Sequence, residues 1–135
     1  MTKVNKEAAI AIELKRAEQA LAAFQLLVTG GILPDAVSRL YYCLLHRVKA
    51  LLLTKGLEPQ SHEGALHWFS MHFVQPGYLE PEDAHLFARL MKYREEADCS
   101  SSFYFTEKSV AQMKTEIDAL SARILELIRQ AGVKT

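Results

Sequence analysis

LPDAVSRLYYCLLHRVKALLLTKGL, residues Leu33 to Leu57, is the stretch whose reading decides the fold. Val37, Leu40, Tyr41, Leu44, Leu45, Val48, Leu51 and Leu52 recur at the three-and-four spacing that makes one apolar stripe on a helix. The opposite side carries Arg39, Tyr42, Cys43, His46, Ala50 and Leu53. A face turned to water would hold Glu and Lys there. The helix is therefore expected to pack on both sides, one against the monomer core and the other against a further helix or subunit. Pro34 suits its first turn, where a missing N–H costs nothing, and Gly56 closes it.

Upstream, residues from Val4 to Thr29 predict a first helix with Ile10, Leu14, Ala17, Leu21, Phe24 and Val28 as its stripe. Ala11, Ala22 and Ala23 would let a neighbour come close. Gly30-Gly31 ends it, and the short connection makes the first two helices antiparallel. Downstream, Ser61 is an N-cap for a short third helix running to Val74, broken by Gln75-Pro76-Gly77. Pro81 starts a fourth, running to Cys99, with Leu86, Leu90, Tyr93 and Ala97 on its stripe. Serines 100–102 mark a loop. Thr106 caps the last helix, in which Val110, Met113, Ile117, Leu120, Ile124 and Leu127 form a bundle seam. Phe103-Tyr104-Phe105 is too short for a strand, and the sequence offers no second strand to pair with it. The fold class is all-α, an up-and-down bundle of four long or medium helices and one short one. At least about two-thirds of the residues should be helical, well above the usual third.

The chain has 135 residues, the size of one domain, 1–135, and half of them are hydrophobic. Sixteen basic residues balance sixteen acidic ones. That excludes binding to long nucleic acid driven by net charge, though not a local basic site. Cys43 and Cys99 fit no disulfide framework or metal pattern, so a reduced, cytoplasmic protein is expected. No apolar run is long enough for a bilayer. No glycine-rich phosphate loop, Ser-x-x-Lys or Gly-x-Ser-x-Gly element is present, and no cofactor is expected.

His62, His67 and His72 stand five apart, so on a helix neighbours point about 140° away from each other. Ligand pairs on a helix want spacings of three or four, and these histidines read as a surface and boundary set with no metal. Arg94 falls at the edge of the fourth helix's apolar arc, with Asp98 one turn later. Its side chain either forms a half-buried ion pair with Asp98 or holds a guanidinium ready for a phosphate. Arg39 and His46, two turns apart on the mixed face, are the second candidates. An imidazole that moves a proton beside a cation that stabilises phosphate can cut RNA. The simpler reading is a rim salt bridge and a packed histidine.

Tyr41-Tyr42, His46, Ala50-Leu51-Leu52-Leu53, Lys55-Gly56-Leu57-Glu58-Pro59 and Ser61-His62-Glu63-Gly64 stand in an order similar to that of the small prokaryotic HEPN proteins. Leu90, Arg94-Glu95-Glu96-Ala97-Asp98 and Thr106-Glu107 continue it, so the resemblance spans Ile10 to Ala131. It implies a helical bundle that forms homodimers and stands beside a minimal nucleotidyltransferase, as a two-component or toxin–antitoxin pair. It also implies a metal-independent ribonuclease motif, Arg, four to six residues, then His, near the fourth helix. Here Cys99 stands where that His would be, and where this branch usually has the Tyr of Arg-x-x-Ala-Asp-Tyr. Arg39 and His46 have the ribonuclease spacing, on a different helix. The first reading is a dimeric protein that binds a nucleotide, RNA or its nucleotidyltransferase partner, with Arg94, Asp98, Tyr42 and His46 as ligand contacts. The alternatives are a ribonuclease toxin and a helical interaction module with no nucleotide role.

Overall fold

The computed structural model describes residues 2–99 and 105–133, without the side chains of residues 98 and 99. The serine loop at 100–102 and the Phe103-Tyr104 pair lie outside the described residues. Helices are α1 (Lys3–Thr29), α2 (Leu33–Leu53), α3 (His62–Phe69), α4 (Pro81–Cys99) and α5 (Glu107–Gln130). Of the described residues 82% are helical, the π-helical turn included, and no strand occurs among them.

α2 is the centre of the bundle and packs against α1, α3, α4 and α5. Its stripe is sealed: Val37, Leu40, Tyr41, Leu44, Val48, Leu51 and Leu52 are fully buried. On the mixed face Cys43, Ala50 and Leu53 are buried, while Arg39, Tyr42 and His46 are half-buried beside α1. Cys43 packs on Ala17 and Ala20, whose small side chains let the two helices close on each other. The Lys6 ammonium donates to the Thr54 carbonyl at 3.4 Å, so the start of α1 meets the end of α2 and the pair is antiparallel. No second subunit is needed to explain why that face lacks surface residues.

Details of register differ from the pattern. α2 stops at Leu53 and not near Leu57, because the Thr54 hydroxyl turns back to the Leu51 carbonyl at 2.6 Å and competes with the ladder. Gly56, at φ 72°, then lets the Leu57 amide reach the Leu52 carbonyl. The expected third helix is split: after Phe69 the chain widens into a π-helical turn, Ser70–Val74. On α5 the seam ends on fully buried Ile128, with Leu127 only half-buried. A 3.6-residue helix drifts past a strict three-four alternation.

The caps are as the sequence indicates. The Ser61 hydroxyl accepts from the Gly64 amide at 2.9 Å, and Thr106 and Ser109 exchange side-chain-to-amide bonds at 3.0 Å. Buried Asp83 accepts from the Glu80 amide and from the Arg123 guanidinium, fastening α4 to α5. The Arg47 guanidinium donates to the Ser121 hydroxyl at 2.8 Å and fastens α2 to α5.

Candidate functional site

Where α2, α3 and α4 meet, three side chains form a corner. Tyr41 is fully buried on α2. Its hydroxyl bonds Nδ1 of His62, the first residue of α3, at 2.5 Å. The guanidinium of Arg94, from α4, lies 5.5 Å from the Tyr41 ring centroid, within cation–π range. Ser61 sets this geometry by capping α3, which holds His62 at the helix mouth.

The hydrogen positions follow from chemistry. Burial pushes the Tyr41 phenol well above its ordinary range, and the opposing pull of Arg94 is smaller. The phenol therefore keeps its proton. His62 is the hydrogen-bond partner the structure gives it, and a buried O–H must donate. Nδ1 of His62 is thus the acceptor, and its Nε2 carries the hydrogen. Partial burial holds the His62 imidazole below its ordinary value of 6.5, and Arg94 and Lys49 push the same way against Glu63 and Glu95. At neutral pH this corner offers a neutral N–H donor beside a cation, which is a way to hold an anionic oxygen rather than to take a proton.

Tyr42, the next residue on α2, extends the corner. Its ring stands edge-on to Tyr41 at 5.2 Å and to His62 at 6.2 Å. Arg39 covers it at 4.7 Å. Beyond it, a groove between α1 and α2 is lined by Arg16, Ala20, Arg39, Tyr42 and His46, among others. His46 does not pack as an apolar histidine. Its Nδ1 bonds Oε2 of Glu13 at 2.7 Å, and the Glu13 Oε1 receives Arg16 Nη1 at 3.3 Å.

Of the residues singled out above, Arg39, Tyr42 and His46 share this groove, and Arg94 stands at the corner joined to it through Tyr42. The side chain of Asp98 lies outside the described residues, and so does that of Cys99. Sequence reasoning passed over His62, taken for a boundary histidine, and Glu13, on a helix read only for its stripe. Tyr41 and His62 are 21 residues apart, and Glu13 and His46 are 33 apart. No local spacing could join them. The N-cap at Ser61 was the only local sign that His62 is held in place. Among the described residues no three His, Cys, Asp or Glu side chains converge as metal ligands, and no helix is long and apolar enough to cross a membrane.

A family model described as the HEPN domain matches residues 12–128. A UPF0332 protein of Pyrococcus horikoshii is 33% identical over 114 residues, which cover 84% of this chain and 78% of that protein. A UPF0332 protein of Thermotoga maritima is 34% identical over 128 residues, 92% of this chain and 97% of its own. A Methanocaldococcus jannaschii protein named "Putative toxin MJ0605" is 33% identical over 115 residues, 85% of this chain and 82% of its own.

Proposed function

This chain belongs to the HEPN domain family, and on that premise we propose that it is the RNA-binding component of a toxin-type system. The observation that carries the reading is the Tyr41–His62–Arg94 corner. Arg94 supplies a cation whose side chain is 19% exposed, and His62 supplies an N–H with a fixed tautomer. An Arg and a neutral donor together suit a phosphate oxygen. Tyr42 beside them supplies an aromatic face, the second element of a site for an unpaired strand. The toxin-type setting is supported by the naming of the Methanocaldococcus jannaschii relative. Pairing with a minimal nucleotidyltransferase is proposed on the family resemblance, and co-purification of the two proteins tests it.

The binding experiment uses a short single-stranded RNA and fluorescence anisotropy. Arg94→Ala should weaken binding by about tenfold or more, or about 1.4 kcal/mol, with the melting temperature nearly unchanged. Arg94→Lys should not restore a bidentate contact. The competing reading makes Arg94 a structural partner of Asp98. In that case either alanine variant should cost about 1–3 kcal/mol of stability, the double variant should cost less than the sum, and RNA binding should follow the folded fraction alone.

A further inference from the structure

We infer that the cavity beside Lys49 and His62 is a subsite for the terminal phosphate of an RNA strand, so that the chain holds a strand by its end. The inference rests on the RNA-binding reading above and adds to it which part of the strand is recognised.

His62 belongs to two places at once. It is part of the Arg94 corner, and it also lines a cavity of about 120 Å³ where α2 meets the loop before α3. Lys49, from α2, and Pro59, from that loop, line the same cavity. Lys49 is half-buried, and among the described residues its ammonium has no ion pair or hydrogen bond. A half-buried ammonium gives up part of its hydration, and an anion in the cavity would make good that loss. Lys49 is also close enough to act on His62 itself. Burial lowers the imidazole's value most, and among the charges Arg94 and Lys49 both push it the same way. Two cations from different helices thus attend one neutral imidazole, whose Nε2 bears the hydrogen.

Size and charge choose the ligand. The cavity is well below the roughly 300 Å³ at which sites for whole small molecules begin, so it takes a group and not a nucleoside. An ammonium is a compact charge with three donors that can turn, which suits the tetrahedral oxygens of a phosphate. A phosphate that ends a strand carries about two negative charges at neutral pH, against one for a phosphate within it. The surface beyond Lys49 decides between the two. Lys49 and Pro59 also line a second cavity, about 190 Å³, whose walls carry Glu13 and Glu58 and no aromatic ring on which a base could stack. A strand that ran on past Lys49 would bring its next phosphate toward those carboxylates. Glu13 already shares its charge with Arg16, so exposed Glu58 is the stronger barrier. A strand that ends at Lys49 meets no such repulsion. The phosphate held at Arg94 is then the next one along, and His62 is the neighbour that both share.

The test is a competition on the full chain against a labelled single-stranded RNA, read by fluorescence anisotropy at one salt concentration. The competitors are one short RNA made with a 5′-phosphate, with a 3′-phosphate, or with hydroxyls at both ends. A phosphate at one end, and not at the other, should tighten binding by about tenfold. The end that responds gives the direction of the strand. Lys49→Gln should abolish that gain and change the binding of the hydroxyl-ended RNA by less than about twofold. Lys49→Met, which keeps the apolar stem, provides a second neutral variant should the first fold poorly. Arg94→Ala should instead weaken all three competitors together. No gain from either phosphate, with binding still dependent on Arg94, overturns this inference and leaves the binding reading standing. An equal gain from both ends, or a gain that survives both Lys49 variants, also overturns it. Failure to bind RNA at all overturns both.

Discussion

At the scale of single residues, this surface is decided by which group faces Nδ1 of each histidine. For His62 that choice has a consequence for stability. Burial first, and Arg94 next, keep its folded-state value below the ordinary 6.5. The unfolded chain therefore takes up the proton at a higher pH than the folded chain does. The stability that His62 contributes is fully present above about 6.5 and is lost as the pH falls from there through the folded value. Urea midpoints measured between pH 7 and 5 should fall with acidification, and less steeply for His62→Gln. Parallel slopes in the two proteins would sink this account. The Tyr41 hydroxyl is the other half of the same bond. Tyr41→Phe should cost about 1 kcal/mol, and it should weaken RNA binding because Nδ1 loses the donor that kept the hydrogen on Nε2. A variant with unchanged stability and unchanged binding would mean that this bond sets neither. Part of the candidate site was legible residue by residue: Arg39, Tyr42, His46 and Arg94 each stand out as polar or aromatic groups at the margin of an apolar stripe. Their partners were not legible, because Glu13 and His62 are brought in by tertiary packing.

At the scale of helices, periodicity carried most of the fold. The α2 stripe is buried residue for residue, and the capping signals at Ser61 and Thr106 are hydrogen bonds in the structure. The misreadings share one cause, which is that side-chain chemistry and helix drift act below the resolution of a spacing pattern. Thr54 shortens α2 by bonding a carbonyl, and Ser70–Val74 widens into a π turn within an unbroken apolar pattern. On α5, true helical pitch selects Ile128 over Leu127. That selection predicts an asymmetry between neighbours. Ile128→Ala should cost about 2–4 kcal/mol, as for a fully buried aliphatic side chain, and Leu127→Ala about half as much. Denaturant unfolding of the pair checks it, and equal losses would return the seam to its strict alternation. The α1–α2 contact should be as intolerant of growth as α5 is of truncation. Ala17 is fully buried against Cys43, so Ala17→Leu should cost about 1–3 kcal/mol by forcing the helices apart.

At the scale of the whole molecule, one face remains unaccounted for. α1 already buries Ile10, Ala17, Ala20 and Phe24. A helix with one partner should then turn charge to the water. Instead Val4, Ile12 and Leu26 are 76%, 53% and 76% exposed. They lie within an arc of about 100°, together with exposed Ala8, Ala11 and Ala22. Lys15 and Gln19 alone interrupt it. An apolar stripe of this length along one helix marks a contact surface, whereas single exposed hydrophobics would not. The alanines permit close approach, and a second copy of α1 across a two-fold axis would match the stripe to itself. The expected state is therefore a homodimer built on α1, in keeping with the family resemblance, with the proposed RNA surface of each protomer formed by its own chain. Light scattering at tens of micromolar should return twice the 15.2 kDa chain mass. Ile12→Glu combined with Leu26→Glu should return the chain mass itself, with the helical circular dichroism signal and RNA binding unchanged. A monomeric wild-type protein would refute dimerisation. A double variant that still dimerises would place the interface on another face.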